Sequence, residues 1–331
     1  MEKRSVAVCS GYYGFNNFGD EAVLSVLLET FSDKYECIVC SSNPKETESS
    51  HGVKSIYSFD YLRVLQEIKK ADVFISGGGS LLQDVTSFKS LVYYLLLIYW
   101  ALLCRKKVII FAQGLGPFRL AVSKALVRYA LNLCDLVTVR DIESKILLDS
   151  WKVKSTQVCD PVFVYPIKLE KRPATVGVQL RDFLGVNEVF LKNLAEAINK
   201  NFSDKKVLVY PFQSKLDKNV CERFMSLLKV PEVELREGLD IKTLADEISS
   251  LEYLIAMRFH AVLLGLRAGV KVLPISYDDK VRILSEQVGI NYEKLESYDF
   301  NSSVAALENY DIERVSNKIS CLSFDKNIFD I

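Results

Sequence analysis

Residues 5–31 read SVAVCSGYYGFNNFGDEAVLSVLLETF. The first six are small and apolar, which predicts a buried strand over 5–10. Three glycines and two asparagines follow in GYYGFNNFGDEA (11–22). They predict a tight turn, because glycine tolerates positive φ and lets backbone approach closely. The segment from Asp20 to Phe31 then has a helical pattern, with Asp20 as the expected N-cap. A buried strand running through a glycine turn into a helix is the opening unit of an α/β fold.

The same alternation continues outward. YECIVCS (35–41), DVFIS (72–76), KVIIFA (107–112) and LVTV (136–139) read as strands. Helical patterns fall at 60–70, 88–104 and about 119–133. The rhythm then pauses at DPVFVYPIKLEKRPAT (160–175), which has three prolines and mixed charge and reads as a linker. It restarts with strands at TVGVQL (175–180), KVLVYPF (206–212), VEL (233–235), YLIAM (253–257) and VKVLPIS (270–276), again with helical patterns between them. The expectation is two α/β domains, 1–165 and 170–331, each with a parallel sheet. A chain of 331 residues is long enough for both. Ligands in open parallel sheets bind beyond the C-terminal strand ends, so a cleft between two such domains is the default site.

Composition removes several classes of function. Lys and Arg total 42 and Asp and Glu total 42, so no basic excess marks a nucleic-acid binder. Apolar residues at 49% and charged residues at 25% describe an ordinary folded chain. The eight cysteines are Cys9, Cys37, Cys40, Cys104, Cys134, Cys159, Cys221 and Cys321. Cys37 and Cys40 spell CxxC, but residues three apart on a strand face opposite sides, so a structural role is expected. The start MEKRSVAVCS runs directly into the first strand, which argues against a signal peptide and for the reducing cytoplasm. LVYYLLLIYWALLC (91–104) has no charge over 14 residues. A spanning helix needs about 20. A buried helix is expected, with contact at a bilayer interface as the alternative.

Further residues fall where a ligand would sit. SGGGSLLQD (76–84) and AQGLGPF (112–118) are two more glycine turns at strand C-termini. Asn16, Gly78 and Gly79 are the candidate contacts in the turns. Three consecutive glycines are hard to explain as packing, because each costs conformational entropy. Arg140 ends another strand, and a guanidinium there can hold a carboxylate or phosphate in a bidentate fork. In the second half, Arg258 and His260 follow the strand YLIAM, Lys280 follows VKVLPIS, and Gln179 and Arg181 follow TVGVQL. His260 opening a helix is a candidate for acid–base chemistry. His51, the other histidine, is expected to be solvated. A neutral chain with Arg140, Arg181, Arg258, Lys280 and His260 around one cleft should bind a small multi-anion. Two distant histidines and no HExxH leave no zinc set, and no GxSxG elbow occurs.

Together, GYYGFNNFGDEA, SGGGSLLQD, AQGLGPF, TVRD and MRFHAVLLGLRAGVKVLPISYDDK resemble the polysaccharide pyruvyl transferases. The MRxHA segment with a lysine some twenty residues on is the most specific part. The resemblance implies a glycosyltransferase-B-like fold, with two Rossmann-like domains facing a cleft. It implies transfer of pyruvate from phosphoenolpyruvate to a sugar as a ketal, with release of phosphate and no cofactor. It implies a saccharide acceptor, lipid-linked in the cell-wall branch, and donor binding on the C-terminal side. The family's functional residues map onto Arg140, His260 and Lys280, with Arg258 adjacent. Asp20 is a weaker candidate for handling the acceptor hydroxyl. The chain departs from the family in its longer GFNNFGDEA turn and in Phe259 for the commoner leucine. A lipid-linked acceptor would bring the protein to the cytoplasmic membrane face, where Arg119, Lys124 and Arg128 could meet anionic headgroups.

Two rivals stay open at this level. A nucleotide-sugar glycosyltransferase on the same fold would need a carboxylate for the ribose, and Glu237 or Asp240 could supply it. A carbohydrate- or anion-binding scaffold would keep the glycine turns without the acid–base group.

Overall fold

The structure is a computed structural model that describes residues 4–85, 87–170, 174–320 and 324–329. Cys321 and residues 171–173 of the expected linker lie outside them. The described chain divides into two compact units. The first takes residues 4–165 and 324–329; the second takes 166–320. The expected limits were 165 and 170, with the chain's end in the second domain. Instead, Phe324 and Phe329 pack on Phe111 of the first unit, with ring centroids 5.7 and 5.0 Å away.

The first unit runs β1 (Ser5–Ser10), α1 (Phe18–Phe31), β2 (Tyr35–Ser41), α2 (Pro44–His51), β3 (Lys54–Tyr57), α3 (Tyr61–Lys70), β4 (Val73–Ser76), α4 (Phe88–Leu103), β5 (Lys107–Gln113), α5 (Ala121–Asn132), β6 (Leu136–Val139), α6 (Ile142–Ser150) and β7 (Thr156–Gln157). Its strands form one sheet in the order β3-β2-β1-β4-β5-β6-β7, with every pairing parallel. Helices cover both faces, so the strands carry continuous apolar runs rather than alternation. The order reverses between β1 and β4, and ligands gather at such a switch point.

The helix after β1 starts earlier than its sequence suggests. Asn17 caps α1, its side-chain oxygen accepting the Gly19 N–H at 3.2 Å. Asp20, the expected cap, lies in the first helical turn, where its charge complements the dipole. The helix α2 and strand β3 have no counterpart in the sequence reading. Only Thr47 of α2 is buried, so α2 has no apolar period to detect. The CxxC pair behaves as strand geometry requires. Cys40 joins the core with Val8 and Ile38, while Cys37 points to the other face. There the Cys9 thiol hydrogen-bonds Cys37, lowering the Cys37 pKa and raising that of Cys9.

The helix α4 corrects the expectation of a buried element. Leu91, Tyr94, Leu95, Leu97, Ile98 and Ala101 are buried, but Phe88, Val92, Leu96 and Leu103 are exposed. Among the described residues, no helix is long and apolar enough to cross a membrane.

The second unit runs β8 (Thr175–Gln179), α7 (Glu188–Asn201), β9 (Lys206–Val209), α8 (Ser214–Met225), β10 (Glu232–Leu235), α9 (Ile241–Ser250), β11 (Tyr253–Ala256), α10 (Phe259–Arg267), β12 (Lys271–Ser276), α11 (Asp279–Val288), β13 (Glu293–Lys294), α12 (Phe300–Ala306) and α13 (Ile312–Ser320). Its sheet is also parallel, in the order β10-β9-β8-β11-β12-β13. The switch point falls between β8 and β11. The order of the first six strands is therefore the same in both units, and both are Rossmann-like.

Candidate active site

In the first unit, the turns that follow β1, β4, β5 and β6 interlock at the switch point. Tyr13, from the first turn, is buried with its ring against Gly11 and its hydroxyl against Gly77. A Cβ on Gly77 would stand 1.9 Å from that oxygen. Gly78 packs against Val23, where a Cβ would meet a side-chain carbon at 2.8 Å. Gly79 has φ +103°, which L side chains rarely adopt. Its carbonyl accepts Gln113 Nε2 at 2.8 Å and the Gly114 N–H at 2.7 Å. So packing and conformation require all three glycines, a reason the sequence did not suggest. A Cβ on Gly79 would stand 3.2 Å from Asp20 Oδ1, which places Asp20 beside the second turn.

Arg140 is fixed rather than presented. Its side chain is 6% exposed, and its Nη1 donates to Asp160 Oδ2 at 2.6 Å. Its Nη2 reaches Ser80 Oγ at 3.1 Å, tying the turn after β6 to the turn after β4. Asp160 also caps the following 3-10 turn through the Val162 N–H at 3.0 Å. Asp84 performs a similar bridge, accepting the Arg119 and Leu120 N–H groups at 2.6 and 3.0 Å. Burial works to raise its carboxyl pKa, but these bonds prevail and hold it below the usual carboxylate range. Asn16 is exposed at φ +56°, with its amide facing the Glu46 carboxylate.

The His51 side chain is buried, contrary to expectation. It is 4% exposed; Nε2 lies 3.1 Å from Glu21 Oε2 and Nδ1 3.3 Å from Ser25 Oγ. Glu21 also accepts the Gly14 N–H at 2.6 Å. The histidine thus braces the first glycine turn through Glu21.

In the second unit, Gln179, Arg181, Arg258 and His260 gather at the switch point. Gln179 is fully buried at the end of β8, and its Oε1 accepts the Arg258 N–H at 2.7 Å. Arg258 occupies the N-cap position of α10. Its guanidinium donates to Asp217 Oδ2 through Nε at 3.1 Å and Nη2 at 2.7 Å, and to Gln213 at 3.3 Å. Asp217 is completely buried, so this pair is desolvated on the carboxylate side. Arg181 lies between aromatic rings, 4.8 Å from the Tyr277 centroid and 5.5 Å from that of Phe183, and donates to the Tyr277 hydroxyl at 2.8 Å. Burial pushes the Tyr277 pKa up, so the phenol stays neutral. His260 sits in the first turn of α10, where the positive end of the helix dipole also points. Its ring stands edge-on to Phe259 at 5.2 Å. Lys280 is exposed in the first turn of α11, after β12.

The sequence did not indicate Asp160, Asp217 or Tyr277 as partners of the arginines. Asp160 was hidden in the linker, and Asp217 in an ordinary helix pattern. The two carboxylates proposed for a ribose are already engaged. Glu237 pairs with Lys218 at 2.8 Å, and Asp240 caps α9 through the Thr243 N–H at 2.9 Å. Among the described residues, no group of three or more His, Cys, Asp or Glu side chains is placed to hold a metal ion.

Comparison with known proteins agrees with the fold. The family model for polysaccharide pyruvyl transferase matches residues 17–279. No curated protein matches the chain significantly. Among solved structures, the UDP-GlcNAc 2-epimerase from Neisseria meningitidis bound to UDP-GlcNAc aligns with TM-score 0.63 and 13% identity, covering 99% of this chain and 98% of that one. Anabaena Alr3699/HepE in complex with UDP and glucose aligns with TM-score 0.60 and 12% identity, covering 99% and 98%. The glycosyltransferase SnogD from Streptomyces nogalater aligns with TM-score 0.52 and 12% identity, covering 97% and 96%. At such identities the likeness is one of fold: two parallel α/β units in the glycosyltransferase-B manner.

Proposed function

The chain belongs to the polysaccharide pyruvyl transferase family, and on that premise we propose that it transfers pyruvate from phosphoenolpyruvate to a sugar of a cell-wall or exopolysaccharide precursor. The observation that carries this reading is the cationic set at the second switch point. Arg181 and Arg258 are held there by named partners, beside His260 in the first turn of α10. Phosphoenolpyruvate brings a carboxylate and a phosphate, the two groups that guanidinium forks and a lysine recognise.

In the proposed reaction, C3 of the enol gains a proton and C2 becomes oxocarbenium-like. A sugar hydroxyl attacks C2, the C2–O bond to phosphate breaks, and a second hydroxyl closes the ketal. The two hydroxyl protons balance the new methyl C–H and the released hydrogen phosphate. His260 is the proposed acid, protonating either C3 or the departing phosphate. Arg181 and Lys280 bind the donor's anions. Arg258, already engaged by Asp217, positions the start of α10 and leaves one edge of its fork toward the donor. Arg140 and Asp20 serve the acceptor side. Arg140 keeps the glycine turns in register through Ser80, and Asp20 orients or deprotonates the attacking hydroxyl.

The test is acceptor-dependent phosphate release from phosphoenolpyruvate across a panel of saccharides, including lipid-linked ones. Release with at least one acceptor, accompanied by a pyruvyl ketal on the product, is the expected result. Sugar transfer from a nucleotide sugar in the same panel, without phosphate release, would replace the proposal with glycosyl transfer.

A further inference from the structure

The exposed apolar surface of the first unit is concentrated on neighbouring helices. On α4, Phe88, Val92, Leu96 and Leu103 stand exposed at helical spacing, and Leu103 is 74% accessible. On α5, Val122, Leu126 and Tyr129, continued by the C-cap residue Leu133, form a second stripe at helical spacing. The stripes adjoin. The Tyr99 hydroxyl of α4 donates to the Leu126 carbonyl at 2.8 Å, and its ring stacks on Tyr129 at 6.3 Å. A contiguous face of this kind marks an interaction site.

Charge identifies the partner. Between Asp84 and Asp135 the sequence has seven lysines and arginines and no aspartate or glutamate, in a chain whose charges cancel overall. Lys89 lies in the first turn of α4 and Arg105 just beyond its end; Arg119 precedes α5, and Lys124 and Arg128 lie on it. Of these, Lys89, Arg105, Arg119, Lys124 and Arg128 are exposed. A second copy docked here would set like charges against each other. An apolar stripe rimmed by cations, with tyrosines at its middle, matches a lipid surface with anionic headgroups.

We propose that the α4–α5 face of the first unit docks on an anionic lipid bilayer. Aromatic contacts also lie between the first glycine turn and α4, where the Tyr93 hydroxyl donates to the Ser58 carbonyl at 3.1 Å. Phe15 of that turn meets Phe59 edge-on at 6.4 Å, and Tyr61, two residues on, lies 6.0 Å from Tyr93 of α4. On the reading of function above, a bilayer at this face would bring a lipid-linked saccharide to the first unit.

The experiment is co-sedimentation of the full chain with vesicles of phosphatidylcholine alone, or of equal parts phosphatidylcholine and phosphatidylglycerol. It needs neither donor nor acceptor, so it can fail while the reading of function stands, and the reverse. Each cation near an anionic surface is worth about a fivefold change in partition. Binding to the anionic vesicles should exceed binding to neutral ones by at least about tenfold and collapse in about 1 M salt, where the Debye length is about 3 Å. Lys124→Glu with Arg128→Glu should abolish the preference. Leu96→Ser with Leu103→Ser should weaken binding to the anionic vesicles, with an unchanged melting temperature because both sites are exposed. Equal binding to both vesicle types would overturn the proposal. So would a dimer in sedimentation velocity that Leu96→Ser with Leu103→Ser dissociates, without vesicle binding.

Discussion

The two units share a strand order but hold their arginines at different kinds of place. In the first, Arg140 is withdrawn into a pair with Asp160 and ties glycine turns together. In the second, Arg258 pairs with buried Asp217 at the mouth of α10, with Arg181 clasped by Tyr277 and Lys280 exposed nearby. The first unit also exposes apolar helix stripes, whereas among the described residues of the second the exposed large apolar side chains, such as Leu184 and Leu216, are scattered. The difference teaches that a shared topology sets where a site can lie, while the partners of each cation decide what the site offers.

The comparison breaks most sharply at His260. If the second unit carries the proton transfer, His260→Ala should lower turnover by about 10²–10⁴-fold with an unchanged melting temperature. Asp20→Asn in the first unit should affect turnover less. Steady-state rates of phosphate release for both variants decide it, and the reverse ranking would move the chemistry to the first unit.

Next come the paired arginines. Removing one partner of a buried ion pair leaves an uncompensated charge and costs about 3–5 kcal/mol. Arg258→Ala and Arg140→Ala should each destabilise on that scale in urea unfolding. The second partner distinguishes the roles. Arg258→Met with Asp217→Leu should recover much of the stability but not the donor affinity. Arg140→Met with Asp160→Leu should recover stability and keep phosphoenolpyruvate binding. Loss of donor binding in the latter variant would show that Arg140 holds the donor itself.

The glycine turns give a smaller effect. Gly77→Ala places a methyl against the Tyr13 hydroxyl, and overpacking of this kind costs about 1–3 kcal/mol. Tyr13→Phe removes a buried hydroxyl that has no hydrogen-bond partner among the described residues. Alone it should be neutral or slightly stabilising, and in combination it should recover part of the Gly77→Ala loss. Full loss in the double variant would place the strain elsewhere in the turn.

The smallest effect is in acid. Asp84 has a folded pKa below its unfolded one, so its contribution is complete above about pH 5 and fades as pH falls through the folded value. Asp84→Asn should lower the melting temperature at neutral pH and flatten the acid limb of its pH profile. An unchanged profile would mean that the Arg119 and Leu120 contacts are not stabilising.

Much of this was legible in the sequence. Buried parallel strands announce themselves as unbroken apolar runs, and each glycine turn marked a strand end. One missed element, α2, has a single buried residue and so little apolar signal, whereas α11, with Val281, Leu284 and Val288 buried, lies beyond the last strand that the alternation picks out. The helix α4 was misread for the opposite reason. An unbroken apolar run does not say which side faces a core, and the structure leaves one stripe outside. At the site, the residue types were visible but their partners were not. His51 looked solvated because its neighbours are polar; its burial depends on Glu21, thirty residues away in the chain. Asp160 and Asp217 are likewise far from the arginines they hold, and no local pattern encodes such a pairing.

The central claim is the identity of the donor, and its most direct test is thermal unfolding with phosphoenolpyruvate and, separately, with UDP-sugars. A ligand at 100 times its dissociation constant stabilises the folded state by about 2.7 kcal/mol, a clear shift in melting temperature. The account predicts a shift with phosphoenolpyruvate that Arg181→Ala diminishes and none with UDP-sugars. A shift with a UDP-sugar and none with phosphoenolpyruvate would contradict it.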